Sequence, residues 1–285
     1  MTKAETKALD ASFDFRPVDI FIVGTGIVPG AHLTRETEAA VRNSNEVLYV
    51  DKSFGIEELL KAIGAKKVTD LHAASYREGD SRLDAYRKMA AMVVEAALAH
   101  GPVVFALYGH PLVYALPPFF VIAAGEAVGL NVKTLAAVSS LDTMFVDLRV
   151  DPCTQGVQMY EATDLLLRQR PIQPDVPCFI WQIGTVGTRI YSEHASKPER
   201  FSAIRDYLAQ YYPLDHEMVA VYSPNLPLAP AMLTRFTLKT IESVADQLHQ
   251  GVTVFIPSVE FRPVNSDAML DEIDDLGRLR ELTVA

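Results

Sequence analysis

Cysteine and positive charge are both scarce in this chain of 285 residues. Two cysteines, Cys153 and Cys178, are too few for a disulfide framework, which predicts a reducing, cytoplasmic location. The 36 Asp and Glu residues outnumber the 26 Lys and Arg residues, so the net charge is −10. Because nucleic-acid binding needs clustered cations, this balance argues against a nucleic-acid partner. The cysteines and histidines also lack zinc-ligand spacing, so no metal is predicted.

A clean membrane-spanning segment is lacking as well. Residues 102–125 carry no charged side chain and are nominally long enough to span a bilayer. However, Gly109, Pro111, Pro117 and Pro118 would break a helix there and leave backbone groups unpaired in lipid. The N-terminus is polar and has no apolar region, so the sequence predicts neither a membrane partner nor a secretory signal.

Strands and helices alternate through the first two thirds of the chain, where apolar runs are frequent enough for a buried sheet. The predicted strands cover residues 19–23, 46–50, 67–69, 102–107 and 131–135, and the predicted helices cover residues 34–42, 56–63, 81–100 and 118–128. This alternation predicts an α/β fold with a mostly parallel sheet that is covered on both faces.

A proline-rich segment, residues 168–177, is the best candidate for a linker between two domains. Beyond it, strands at residues 178–183, 217–222, 235–238 and 252–256 and a helix at residues 199–211 predict a second α/β domain with a mixed sheet. The predicted division is an N-terminal extension (1–17), an N-terminal α/β domain (18–170), a C-terminal α/β domain (171–259) and a tail (260–285).

The tail is acidic and amphipathic. It carries seven acidic and three basic residues, and its apolar residues recur mainly at three-residue intervals. These apolar residues are Met269, Leu270, Ile273, Leu276, Leu279 and Leu282. They predict an amphipathic helix over residues 265–282, which docks either on its own domain or as an arm over a partner subunit.

Gly24-Thr25-Gly26 follows the first predicted strand and invites comparison with a dinucleotide-binding loop. The third glycine of that motif is displaced, and Asp51 is near, but not at, a clean ribose-binding position. The residues therefore support an NAD site only weakly. The alternative is a turn that allows another backbone segment to approach closely.

Two further groups of residues have the chemistry of a site. Tyr108-Gly109-His110-Pro111 follows a buried strand, where open α/β sheets bind ligands, although the same turn suits a packed histidine. Arg82 and Tyr86 are four apart on one helix face, and Tyr76 lies on the preceding loop. Two phenols around a guanidinium can polarise a carbonyl and accept a proton, but an exposed Arg stacked on Tyr has the same pattern.

Four motifs follow one another along the chain, namely GTGIVPGAHLT, YGHP, AVSSLD and WQIGTVG. Together they resemble the motifs of the tetrapyrrole methylases. The stretches DPCTQGVQMYEATDLLLR and YPLDHEMVAVYSPNLP more narrowly resemble the borosin methyltransferases, which N-methylate backbone amides of a peptide with S-adenosylmethionine. The resemblance runs from about residue 19 to residue 257. It implies two α/β domains with the cofactor in the cleft between them.

The resemblance also implies roles for individual residues. The Tyr/Arg/Tyr set of the borosin active site corresponds to Tyr76, Arg82 and Tyr86 in both residue type and spacing. The cofactor cleft of the family corresponds to Tyr108, His110, Pro111, Val113, Tyr114, Ser139, Ser140, Gln182, Leu226, Pro227 and Thr253. Two positions depart from the family's pattern, because Leu112 stands where Gly is usual and Tyr114 where Phe is common.

The implied cofactor is S-adenosylmethionine with S-adenosylhomocysteine as product, and the implied partners are a precursor peptide and a second copy in a homodimer. In fused members the substrate is a C-terminal extension of the enzyme. Here 28 residues follow Pro257, and the acidic tail has no multi-residue hydrophobic core, which favours a precursor on a separate chain. A corrin or porphyrin methylase of the same fold and a non-catalytic peptide-docking module stay open as alternatives.

Overall fold

The first half of the chain forms a five-stranded sheet in which every strand is parallel to its neighbours. The computed structural model describes residues 17–284. The strands of this sheet are β1 (Ile20–Gly24), β2 (Glu46–Val50), β3 (Val68–Asp70), β4 (Val103–Leu107) and β5 (Val132–Thr134). They are arranged in the order β3-β2-β4-β1-β5. Its helices are α1 (Arg35–Asn43), α2 (Ile56–Ala62), α3 (Leu71–Ser75), α4 (Arg82–His100) and α5 (Pro117–Ala127). The predicted alternation is confirmed, whereas the short α3 has no counterpart among the predicted helices.

The central strand β4 lies between two hydrophobic cores. Because side chains alternate along a strand, Val103, Phe105 and Leu107 pack with residues of α4 and α5 on one face. Val104 and Ala106 pack with residues of α1 and α2 on the other face. All five residues of β4 are buried, so the sheet is covered on both faces as predicted.

Residues 102–125 divide into β4, a turn and α5 rather than forming one long helix. Among the described residues, no helix combines the length and the apolar character that crossing a membrane requires. The predicted order of strand, loop and helix in this uncharged segment is therefore confirmed.

The second half of the chain forms a mixed five-stranded sheet. It contains β6 (Gln158–Glu161), β7 (Cys178–Trp181), β8 (Glu217–Tyr222), β9 (Met232–Thr237) and β10 (Thr253–Ile256) in the order β6-β7-β10-β8-β9. Only β6 and β7 are parallel, and the other neighbours are antiparallel. The α-helices of this half up to β8 are α6 (Ser140–Leu148), α7 (Pro152–Gln155), α8 (Ala162–Arg168) and α9 (Ser202–Leu208), and short 3-10 helices cover Ile183–Thr185 and Pro198–Phe201.

The second sheet begins before the proline-rich segment at residues 168–177. β6 and α8 both precede that segment, yet β6 pairs with β7 and α8 packs in the core of the second sheet. β6 has the sequence QMYE, which has too little apolar alternation to indicate a strand. The division at residue 170 stays a prediction, and the proline-rich segment connects two elements of the second sheet.

The tail differs from its prediction. Two short helices, α10 (Asp267–Glu272) and α11 (Leu276–Leu282), replace the single helix, because Asp275 caps α11 by accepting a hydrogen bond of 2.6 Å from the Arg278 N–H. The six apolar side chains of the tail are between 52% and 68% exposed. The alternative in which the tail packs on its own domain is therefore wrong for the described chain.

Candidate functional site

Two glycine-containing turns meet at the carboxyl ends of β1 and β4. The Gly109 N–H donates to the Gly26 carbonyl at 3.0 Å, and the Gly26 N–H donates to the Gly109 carbonyl at 3.4 Å. A Cβ atom at Gly24 would lie 2.0 Å from the Gly109 carbonyl oxygen, so only glycine fits there. The turn after β1 thus serves a close backbone approach, as the alternative to the NAD interpretation predicts.

Asp51 is occupied within the protein. Its buried carboxylate accepts hydrogen bonds from the Thr25 hydroxyl at 2.6 Å and from the Ser53 N–H at 2.7 Å. The Thr25 hydroxyl also donates to the Leu107 carbonyl at 3.0 Å. These contacts tie the ends of β1, β2 and β4 together, so Asp51 supports the turn rather than a ribose.

Next to these turns lies a cavity of about 210 Å³, here called the cofactor-side cavity. It is lined by eight of the eleven residues predicted to bind the cofactor, namely Tyr108, His110, Val113, Tyr114, Ser139, Ser140, Gln182 and Thr253. Pro111 is buried beside Gly24 and is not part of the lining, and neither Leu226 nor Pro227 belongs to it. The structure therefore brings residues from both sheets to one cavity.

Trp181, the first residue of the WQIGTVG motif, also lines this cavity, although the family resemblance implied no role for it. Its ring stacks on the Tyr114 ring with centroids 4.5 Å apart and planes inclined by 11°. Its indole N–H is buried and has no hydrogen-bond partner among the described residues. Burial also raises the pKa of Tyr114 to about 12. The available signal was that Trp181 is the single tryptophan of the chain and ends a buried strand.

Hydroxyl groups differ in their availability to a ligand. Ser139 caps α6, since its hydroxyl accepts the Leu141 N–H at 3.1 Å and its own N–H donates to Asp142 at 2.7 Å. Ser140 and Thr253 also line the cavity, and neither hydroxyl caps a helix. On the other wall, His110 accepts the Leu112 N–H through Nδ1 at 3.1 Å.

A second cavity of about 420 Å³, here called the substrate-side cavity, shares Tyr114, Ala115 and Gln182 with the first. Tyr114 and Gln182 both have left-handed backbone conformations, with φ of 51° and 56°. The Gln182 side-chain amide donates to the Tyr114 carbonyl at 3.0 Å, which stabilises this pair. Strained backbone of this kind is concentrated at functional sites, and here it marks the junction of the two cavities.

The substrate-side cavity has an apolar wall and charged groups. Its apolar residues include Leu112, Leu116, Phe119 and Leu167, and its charged residues are Arg82, Glu161, Asp164 and Arg189. Leu112, which departs from the family pattern, lines this cavity and not the cofactor-side cavity. The charges of the lining are balanced between two cations and two carboxylates.

Arg82 begins α4 and is held by the second half of the chain. Its guanidinium donates to the Thr185 hydroxyl at 3.2 Å and to the Thr188 carbonyl at 2.7 Å. Arg82 and Tyr86 both line the substrate-side cavity, so the alternative of an exposed Arg stacked on Tyr does not describe them.

Tyr76 lies behind these two residues, where α3 ends, and does not line the substrate-side cavity. Its ring meets the Tyr86 ring edge-on, with centroids 6.3 Å apart and planes at 90°. Burial, followed by the proximity of Tyr86, raises the pKa of Tyr76 well above its usual value. The Tyr76 hydroxyl is therefore protonated at neutral pH.

The comparisons with known proteins agree with this architecture. Residues 19–223 match the family described as Tetrapyrrole (Corrin/Porphyrin) Methylases. One relative is a methyltransferase and precursor of the cyclic peptides gymnopeptides from Gymnopus fusipes, 28% identical over 87% of this chain and 59% of its own length. Another, a methyltransferase and type I borosin cyclic peptide precursor from Gymnopilus junonius, is 29% identical over 86% of this chain and 58% of its own.

The solved structures show the fold. The methyltransferase CobJ is 14% identical with a TM-score of 0.59, covering 87% of this chain and 98% of its own. A second structure is uroporphyrin-III C-methyl transferase from Thermus thermophilus, complexed with S-adenyl homocysteine. It is 15% identical with a TM-score of 0.60, and the match covers 84% of this chain and 97% of the other. The predicted fold is thereby confirmed. The chain spans less than two thirds of the length of the two fungal relatives.

Proposed function

Because the chain belongs to the tetrapyrrole (corrin/porphyrin) methylase family, we propose that it transfers methyl groups from S-adenosylmethionine to backbone amides of a separate precursor peptide. The observation that carries this proposal is the meeting of two cavities at Tyr114 and Gln182, with Arg82 and Tyr86 on the substrate side. The names of the fungal relatives join a methyltransferase to a cyclic peptide precursor, which supports a peptide as the acceptor.

The cofactor-side cavity fits S-adenosylmethionine chemically. The Tyr114 and Trp181 rings offer apolar surface for an adenine, and the Ser140 and Thr253 hydroxyls can bond polar groups of the ligand. The indole N–H of Trp181 is buried and has no partner within residues 17–284, so it is a donor that a ligand can satisfy. When bound, S-adenosylmethionine supplies an electrophilic methyl group and becomes S-adenosylhomocysteine.

Arg82 and Tyr86 act on the acceptor amide. An amide nitrogen is a weak nucleophile because its lone pair is delocalised into the carbonyl. A guanidinium has five N–H donors, so Arg82 can bind Thr185, Thr188 and the peptide carbonyl together. Its charge stabilises the developing negative charge on the peptide oxygen while the amide proton leaves. Tyr86 lines the same cavity, and as the phenolate it can take that proton, directly or through water, and become the neutral phenol.

The substrate-side cavity favours a peptide over a tetrapyrrole. A corrin or porphyrin with several carboxylates needs a basic cleft, whereas this lining balances Arg82 and Arg189 with Glu161 and Asp164. Its apolar wall suits aliphatic side chains of an extended peptide. Leu112, which departs from the family pattern, is not among the residues that line the cofactor-side cavity, so it does not favour the non-catalytic docking alternative.

We expect the protein to methylate a synthetic library of extended peptides with aliphatic cores when S-adenosylmethionine is present. Mass spectrometry should show increments of one methylene per transfer, which fragmentation places on backbone nitrogens, while the mass of the protein itself stays unchanged. Increments on the protein would contradict a separate precursor. Methylation of a porphyrinogen, with none of any peptide, would replace the peptide assignment by the tetrapyrrole alternative.

The proposed active form is a homodimer in which the tail contacts the partner subunit. Six apolar side chains of α10, α11 and the three-residue segment between them are exposed, which is unfavourable for a surface that stays in water. Light scattering should give a molecular mass twice that of the chain. In the double variant Leu276→Glu/Leu279→Glu, this mass should fall towards that of a monomer. Unchanged mass in the double variant would exclude the tail from the interface. The cytoplasmic location stays a prediction.

A further inference from the structure

Tyr191 is the residue against which Tyr76 is packed. The two rings stack with centroids 4.6 Å apart and planes inclined by 29°. Tyr191 is 7% exposed and lines neither the cofactor-side nor the substrate-side cavity. Instead it lines a third cavity, of about 470 Å³, together with Arg82, and it is connected to Tyr86 through Tyr76.

The hydroxyl of Tyr191 is anchored by three side chains. It donates to the Glu193 carboxylate at 2.6 Å, and it lies 3.2 Å from the His72 Nε2 atom. Lys52 Nζ donates to the Tyr191 hydroxyl at 3.3 Å and to Glu193 at 2.7 Å. The hydrogen bond from Lys52, followed by that from Tyr191, holds the pKa of Glu193 at about 2, so this carboxylate is charged at neutral pH.

The backbone around Tyr191 is joined to the loop that carries the site. The Tyr191 N–H donates to the Asp80 carbonyl at 2.9 Å, and the Gly79 N–H donates to the Tyr191 carbonyl at 3.0 Å. The Arg82 N–H donates to the Arg189 carbonyl at 2.9 Å. The ring of Tyr191 and the start of α4 consequently have a fixed relative position.

We propose that Tyr191 is a positioning residue whose anchored ring holds Tyr76 edge-on to Tyr86 beside Arg82. This inference rests on the proposed function, since the geometry that it maintains is that of the proposed amide site. His72 contacts both rings, with its ring centroid 4.7 Å from that of Tyr76 and 5.8 Å from that of Tyr191. Tyr76 is thus confined by His72, Tyr191 and Tyr86, and displacement of Tyr191 opens one side of this arrangement.

The test compares Tyr191→Leu and Tyr191→Phe on the peptide that the wild type methylates from the library. Leucine removes the ring, and we expect kcat to fall about 100-fold, because a displacement of about 1 Å in a site can have that effect. Phenylalanine keeps the ring and should restore kcat to within about tenfold of the wild type. The KM for the peptide and the affinity for S-adenosylhomocysteine, measured by calorimetry, should stay within about twofold in both variants.

Tyr211→Leu is the matched control, since it removes one ring of the Tyr207–Tyr211 pair, which lines none of the cavities of the site. Its kcat should equal that of the wild type. If Tyr191→Leu does not fold, Lys52→Met combined with Glu193→Gln keeps the ring, removes two of the three side chains that anchor its hydroxyl and should lower kcat about tenfold.

Two results would overturn the positioning role. One is an unchanged kcat in Tyr191→Leu, or in the double variant where that one is used. The other is a fall in kcat accompanied by a comparable rise in the peptide KM and a comparable loss of affinity for S-adenosylhomocysteine. That result would mean that Tyr191 has only a general structural role. A wild type that methylates no peptide but still binds S-adenosylhomocysteine would instead overturn the proposed peptide function, and the positioning role with it.

Discussion

Replacing Arg82 with alanine is expected to lower methyl transfer by about 10²- to 10³-fold, the effect of removing a donor that stabilises developing negative charge. The guanidinium is the cation that faces the acceptor amide in the proposed mechanism, and no neutral side chain replaces its charge. Affinity for S-adenosylhomocysteine should be retained, because Arg82 does not line the cofactor-side cavity. Peptide methylation followed by mass spectrometry measures the first effect, and calorimetry measures the second.

Arg87→Ala is the matched control for this experiment. Arg87 is on the same helix, but its side chain is exposed and pairs with Asp84 instead of facing the cavity. An exposed pair of this kind contributes little to stability, so the variant should be as active as the wild type. Tyr86→Phe should resemble Arg82→Ala in losing turnover while binding the cofactor, and we expect the same of Tyr76→Phe. Methylation at the wild-type rate in Arg82→Ala would refute the assignment of the site.

Gly24→Ala is expected to abolish cofactor binding and to destabilise the fold. The added Cβ atom would lie 2.0 Å from the Gly109 carbonyl oxygen and 2.5 Å from the Ala137 Cβ atom. Since one of these atoms is backbone, the turn of residues 108–111 has to move, and Tyr108 and His110 on it line the cofactor-side cavity. Overpacking costs about 1–3 kcal/mol when side chains can adjust, and more is expected here.

Trp181 provides the measurement for Gly24→Ala, because it is the single tryptophan and lies in the cofactor-side cavity. Titration with S-adenosylhomocysteine should change the wild-type fluorescence and leave that of Gly24→Ala unchanged. Gly187→Ala is the control, since its Cβ atom would meet nothing within 4 Å although the backbone φ is 82°. The Gly187→Ala variant should lose only about 1 kcal/mol of stability and should bind S-adenosylhomocysteine as the wild type does. If Gly24→Ala binds S-adenosylhomocysteine as the wild type does, the turn of residues 108–111 tolerates displacement and the prediction is wrong.

Local sequence patterns were sufficient for most elements of the fold. Thr34 predicts the start of α1, and its hydroxyl indeed accepts the Thr37 N–H in the structure. β2 and β8 have the predicted bounds, because continuous apolar runs between turn residues are a strong local signal. The same patterns failed for β6, whose pairing with β7 depends on a partner strand and not on its own composition.

The sequence by itself determined the alternation of strands and helices, the close turns at Gly24 and Gly109, and the motifs that resemble a methylase. The tertiary structure alone decided that Arg82 and Tyr86 face the substrate-side cavity while Tyr76 lies behind them. It also decided that Trp181 and Tyr191 belong beside the site, although Tyr191 is more than a hundred residues from Tyr76 in the chain. The physical reason is that capping and periodicity act within a few residues, whereas a cavity is formed by packing between segments distant in sequence.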